Sequence, residues 1–225
     1  MVVRTLDAKR DHFRPNEDED EILEPDVPYR SANGALLYLD QCTRRDISFA
    51  VNLLAIYSNV PTRRHWNGVK DIFHYLKGTM DLGLFYTHES LSVATLYGHQ
   101  VGSPLIGYTD AGYLSDSHRA RSQTGYVFIV GDTAISWRST TQTPVATSSN
   151  YAEILALHEA SCESFWLREV MEHVQSTSGL TSVIDLPTTI FEDNAACIEQ
   201  LKKGYIKGDN TKHIAPKFFY SHQQQ

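Results

Sequence analysis

At 225 residues, 41% of them hydrophobic, the chain is long enough to bury a sizeable core and to form one or two domains. No apolar stretch approaches the ~20 residues of a membrane span, and Met1-Val-Val-Arg-Thr-Leu-Asp7 lacks the apolar core of a secretory signal, so no membrane partner and an intracellular location, cytoplasm or nucleus, are expected. Cys42, Cys162 and Cys197 are odd in number and far apart, which excludes a disulfide framework and a thiolate zinc site.

The net charge of −7 argues against a nucleic-acid partner until its distribution is read, because phosphate contacts need Lys and Arg. Residues 1–26 carry nine acids against four bases, a net −5. Residues 43–77 carry a net +4 and residues 195–225 a net +3. Two basic regions therefore flank the middle of the chain.

In chain order, residues 1–27 are acidic, with Glu17-Asp-Glu-Asp-Glu21 and prolines at 15 and 25, and predict a disordered leader. Helical periodicity follows: Leu36, Leu37 and Leu39 in a first helix, then Ile47, Ala50, Val51, Leu54 and Tyr57 in a second that stops before Pro61. Thr62 caps a third helix, with Trp66, Val69, Ile72, Phe73 and Leu76 on one side, and Gly78 ends it. Residues 28–88 thus read as a small helical module closing on a strand at Leu82–Tyr86.

Beyond a polar connector at 87–103 the period changes to that of strands: Leu105–Asp110, then Thr124–Val130 and Ala134–Arg138 joined at Gly131-Asp132. A long helix over 149–173, capped by Ser148 or Ser149, leads to a strand ending at Asp193, a helix Ala195–Lys203, a short strand Lys212–Ile214 and a helix starting near Pro216. Tyr126, Phe128, Trp137 and Trp166 are expected in the core. The order predicts an α/β fold, a mixed sheet with helices on its faces, over residues 104–225.

Three carboxylates stand where such a fold holds side chains rigidly. Asp110 is placed at a strand's end, Glu153 one turn into the long helix, and Asp193 between a strand and a helix. Hard divalent cations take carboxylate oxygens, and phosphodiester chemistry commonly uses two such ions about 4 Å apart.

Two blocks of motifs resemble the polyprotein of copia-type retrotransposons. Tyr29-Arg-Ser-Ala-Asn-Gly-Ala-Leu-Leu-Tyr-Leu39, Cys42-Thr-Arg-Arg-Asp-Ile-Ser-Phe-Ala-Val51 and His65-Trp-Asn-Gly-Val-Lys-Asp-Ile-Phe-His-Tyr-Leu-Lys-Gly-Thr79 are similar to the end of that family's reverse transcriptase. Tyr108-Thr-Asp-Ala-Gly-Tyr113, Arg121-Ser-Gln-Thr-Gly-Tyr-Val-Phe128, Ile135-Ser-Trp-Arg138, Ser148-Ser-Asn-Tyr-Ala-Glu-Ile154, Asp193-Asn194 and Thr211-Lys-His-Ile214 are similar to its ribonuclease H. Each motif alone is weak; the ordered series is specific, and it runs from about residue 28 to the end.

The resemblance implies a ribonuclease H-like mixed five-stranded sheet that cuts the RNA strand of an RNA–DNA hybrid with two Mg²⁺ ions, Mn²⁺ being a substitute. Asp110, Glu153 and Asp193 match its catalytic, metal-holding acids. Arg119, Arg121, Lys212 and His213 are candidates for contact with the hybrid, whose backbone and 2′-hydroxyls need no sequence code. The remainder of a polyprotein is the implied protein partner.

One departure bears on catalysis: Ala215 stands where the family usually has a fourth acid, directly after Lys-His-Ile. Neither Asp209 nor His213 is a convincing substitute, so weakened metal binding is expected. Asn33 stands where an apolar residue is expected on a helix face. The Tyr-x-Asp-Asp strand of a polymerase palm does not occur in these residues, so DNA synthesis is not expected of them. The alternative to a weakened nuclease is an inactive retrotransposon remnant that at most binds nucleic acid.

Overall fold

The computed structural model describes residues 11–18, 20–86, 105–116, 118–131, 133–179, 187–204 and 214–223. It divides into two compact units. One comprises Met1–Gly83 with Asp116–Ala120 and Ser139–Thr141; the other comprises Leu84–Ser115, Arg121–Arg138 and Gln142–Gln225.

The first unit holds α1 (Tyr29–Cys42), a short 3₁₀ turn (Arg45–Ile47), α2 (Ser48–Ala55) and α3 (Arg63–Gly78). The start of α3 follows from Thr62 and His65, which cap each other's backbone: Thr62 N–H donates to His65 Nδ1 at 3.1 Å. The apolar faces meet in a core of Tyr29, Leu36, Val51, Leu54, Val69 and Ile72. Asn33 is buried in α1 with its Oδ1 unpartnered among the described residues, at a cost of about 1–3 kcal/mol.

The acidic stretch differs from its expectation, because residues 11–18 and 20–27 pack on these helices. The Tyr57 hydroxyl donates to Phe13 O at 2.6 Å, His65 Nε2 lies 2.8 Å from Arg14 O, and Ile22 forms an antiparallel bridge with Thr62. Composition pointed to disorder because the acids were counted as a like-charged run. In the fold Asp20 pairs with Arg64 at 2.5 Å and Glu21 with Arg63 at 3.0 Å. These pairs, with Arg44–Asp46 at 2.8 Å, also occupy three of the arginines that made residues 43–77 look like a phosphate-binding surface.

The second unit is built on a mixed four-stranded sheet in the order β3-β2-β1-β4, with β1 at Ile106–Asp116, β2 at Arg121–Val130, β3 at Thr133–Thr141 and β4 at Thr189–Phe191. Strands β1 and β4 are parallel, in the register Ile106↔Thr189, Gly107↔Ile190 and Tyr108↔Phe191. A fifth strand at Lys212–Ile214 falls largely outside the described residues. Leu82–Tyr86 is not a strand: Phe85 O accepts from the Thr133 hydroxyl at 2.6 Å and the Tyr86 hydroxyl donates to Ala134 O at 3.2 Å, side-chain bonds in place of a ladder.

Helix α4 (Ser149–Ser178) packs on β2 and against α5 (Ala195–Lys203) and α6 (Ala215–Gln223). Ala152, Ala156 and Ala160, four residues apart, are fully buried and give it a narrow inner face. Tyr126 and Phe128 are in the core as expected, whereas Trp166 is 55% exposed on the outer side of α4. Its apolar character marked it as core, but it stands about 100° around the helix from the buried Leu167. Among the described residues no helix is long and apolar enough to cross a membrane.

Candidate metal centre

Three separate elements deliver the carboxylates. Along β1 Gly107, Thr109 and Ala111 are buried and Tyr108 and Asp110 are exposed, the alternation of a strand with one covered face. Asp110 therefore lies within β1, not at its end, because the strand continues to Asp116. Glu153 sits in the first turns of α4, which Ser148 opens by accepting the Tyr151 N–H. Asp193 follows β4 by two residues and precedes Asn194, whose side chain caps α5 by accepting the Cys197 N–H at 3.0 Å.

Each of Asp110, Glu153 and Asp193 presents a ligand oxygen, and these atoms lie within 4.8 Å of one another, so the three can hold a metal ion. The donor set is all oxygen and carries up to three negative charges, which suits a hard divalent cation. Glu153 tests that fit: it is only 5% exposed, and its Oε2 is buried with no hydrogen-bond partner among the described residues. A buried carboxylate oxygen without a donor is costly unless a proton or a cation satisfies it.

The electrostatics agree. Burial, then the nearby Glu192, Asp110 and Asp193, push the Glu153 carboxyl up to about 8, against the pull of the Ala111 N–H. Burial and the same pair of glutamates push the Cys197 thiol up to about 12. Glu192, absent from the sequence-derived site, is half-buried; burial, then Asp193 and Asp110, raise its carboxyl despite the hydrogen bond from Asn194 N–H. Its signal in the sequence was its place beside Asp193, but strand alternation puts neighbouring residues on opposite faces, which hid it.

The sign of this shift gives a pH dependence. A carboxyl raised from 4.5 to about 8 in the fold is protonated there while the unfolded chain has lost its proton. The unfolded state is then favoured progressively from pH 4.5 upward, until both states are ionised above about 8. In EDTA, the urea midpoint of the wild type relative to Glu153→Gln is expected to fall between about pH 5 and pH 8. An unchanged difference across that window overturns the assignment.

Of the other sequence candidates, Arg121 donates from Nη1 to Gln142 O at 3.3 Å and to Thr143 O, and the Arg119 guanidinium lies over the Tyr57 ring at 5.4 Å. Neither belongs to the carboxylate cluster. Lys212 and His213 lie outside the described residues. Ala215 begins α6 and offers no ligand. A cavity of about 730 Å³ opens between α4, β4 and α5, lined by Leu157, Phe165, Arg168, Ile190, Glu192 and Leu201; Glu192 is the one acid it shares with the surroundings of the metal centre.

A mixed sheet and a helix that bring three carboxylates to one point define an α/β protein with a candidate divalent-cation centre. The chain belongs to the family of retrovirus-related Pol polyproteins of copia-type transposons. It is 32% identical over 195 residues to the Pol polyprotein from transposon TNT 1-94 of Nicotiana tabacum, covering 86% of this chain and 13% of that protein. It is likewise 32% identical over 196 residues to that from transposon RE2 of Arabidopsis thaliana, covering 87% of this chain and 12% of that protein. A third relative, the secreted RxLR effector protein 161 of Plasmopara viticola, is 38% identical over 141 residues, which cover 63% of this chain and 92% of that protein. No family model matches the chain. The resemblance carried by the motif series therefore holds, and the chain spans about an eighth of the polyproteins it matches.

Proposed function

We propose that this retrotransposon-derived chain is a ribonuclease H-type nuclease that hydrolyses the RNA strand of an RNA–DNA hybrid. The observation that carries the reading is the meeting, within 4.8 Å, of carboxylates from β1, α4 and the end of β4. Water forms the new bond to phosphorus, the bond to the 3′ oxygen breaks, and that oxygen takes a proton, leaving a 5′ phosphate and a 3′ hydroxyl. Bound Mg²⁺ would supply an activated water and neutralise charge on the phosphate and leaving oxygen. Asp110 and Asp193, both exposed, hold the centre open on the side from which a polynucleotide arrives. Glu153, buried beneath them, anchors it to α4.

A second reading, an inactive remnant, is favoured by Ala215, which removes an acid the family usually has. The two part on one measurement. A labelled RNA–DNA hybrid is expected to be cut in its RNA strand with Mg²⁺ and left intact in EDTA. If the hybrid stays whole with both the wild type and Ala215→Asp, the nuclease reading is overturned and the remnant stands.

A further inference from the structure

Gln142 is a polar side chain deep in the second unit. It follows β3 directly, is 1% exposed, and its Oε1 is buried with no hydrogen-bond partner among the described residues. Its Nε2 donates twice, to Ala152 O on α4 at 2.9 Å and to Thr124 Oγ1 on β2 at 3.2 Å. Its backbone N–H donates to Ser122 O, also on β2, at 2.8 Å. Ala152 and Thr124 are both fully buried, and each stands next to a part of the metal centre. Ala152 directly precedes Glu153. Thr124 precedes Gly125, whose carbonyl accepts from the Thr109 hydroxyl of β1 at 3.4 Å, and a Cβ on Gly125 would stand 3.5 Å from Asp110 O.

A buried amide with an unpaired oxygen is a poor source of stability, since an orphaned acceptor costs as much as a hydrogen bond contributes. What it supplies is direction. The inner stripe of α4 is Ala152, Ala156 and Ala160, side chains that end at Cβ and resist rotation or sliding of the helix only weakly. Apolar contact is non-directional, whereas a hydrogen bond to one carbonyl fixes both the turn of the helix and its height. Glu153 reaches outward from a Cα about 2.3 Å from the helix axis, so a small rotation moves its carboxylate farther than its backbone. We propose that Gln142 is a positioning residue of the metal centre: by tying the first turns of α4 to β2, it holds the Glu153 carboxylate at the point where Asp110 and Asp193 meet it. The inference rests on the metal-centre reading, and the test separates the two.

Mn²⁺ affinity is measured by calorimetry, and the geometry of the bound ion by electron resonance, on the full chain of the wild type, Gln142→Met, Thr124→Val and Asp110→Asn, without nucleic acid. Urea midpoints in EDTA report on the fold. Met keeps the length of the side chain and removes the donors together with the unpaired oxygen, so the midpoint of Gln142→Met should stay close to that of the wild type. Its Mn²⁺ affinity is expected to fall about tenfold, the lower end of what losing a group that orients a ligand costs. The resonance of the bound ion should broaden as the ligands spread over several geometries. Thr124→Val cuts the β2 end of the bridge alone and should weaken binding by a smaller factor. A role confined to stability would shift the midpoint and leave affinity and resonance unchanged. If Gln142→Met binds as the wild type does while Asp110→Asn loses its metal, the positioning role is overturned and the three-carboxylate centre stands. If the wild type binds no Mn²⁺, both are overturned. Should Gln142→Met fail to fold, Thr124→Val decides by the same comparison.

Discussion

Asp110→Asn is expected to lower Mg²⁺-dependent cleavage of the hybrid by about 10³-fold while leaving the fold intact. The amide keeps the size of the side chain and removes the charge. A bound metal supplies several kcal/mol of charge stabilisation to the transition state, and each 1.36 kcal/mol is tenfold in rate. Asp110 is exposed, so its replacement opens no cavity. It also lies among the acids that raise Glu153, so in EDTA the variant should be at least as stable as the wild type. Loss of cleavage with an equal or higher urea midpoint is the expected pair of results. Undiminished cleavage would remove Asp110 from the centre and with it the nuclease assignment. A similarly exposed acid outside the cluster, Glu199 on α5, provides the control: Glu199→Gln should cleave as the wild type does.

The largest effect on stability is expected at Phe128. Its ring is fully buried, meets Tyr126 edge-on at 5.8 Å, and fills the space that Gly107 leaves on β1. Phe128→Ala should cost about 3–5 kcal/mol. Gly107→Ala should cost about 1–3 kcal/mol by overpacking, because a Cβ there would stand 2.5 Å from Phe128 Cε1. The two are coupled: with the ring gone, the added methyl has room. The cost of Gly107→Ala should therefore fall below about 1 kcal/mol in a Phe128→Ala background, a departure from additivity typical of residues in contact. Urea denaturation of the four proteins of this cycle measures it, and strictly additive costs would show that Gly107 is glycine for another reason.

The parts of this fold legible in the sequence are those governed by local chemistry. Thr62 fixes the start of α3, Asn194 and Gly204 bound α5, and the period of three and four residues located the helical core. The carboxylate cluster was legible for a different reason: Glu153 and Asp193 occupy a first turn and a strand–helix junction, where the backbone alone orients the side chain, and Asp110 lies on the exposed face of an alternating strand. What escaped depends on residues distant in the chain. The acidic stretch is ordered by Arg63 and Arg64, more than forty positions away. Strand β1 runs past Asp110 with β2 as its neighbour on one side, although its pairing with β4 ends at Tyr108. Leu82–Tyr86 has the composition of a strand but no partner strand among the described residues. Glu192 belongs with these: its carboxyl is raised by burial and by Asp193 and Asp110, the last from another element, which no spacing rule records.

The parallel pairing of β1 with β4 carries a genetic consequence. Tyr108 stands opposite Phe191, and each is followed two residues later by an aspartate of the centre, so the distance between Asp110 and Asp193 is inherited from the ladder and from two intervals of equal length. A codon inserted into either interval would throw one aspartate out of phase with the other and leave Glu192 or a neighbour in its place, although every ligand would still be encoded. Decay of this locus can therefore proceed by a single in-frame change that spares all the acidic residues. Copies that differ from this chain in those two short intervals are the ones in which an intact list of carboxylates would mislead.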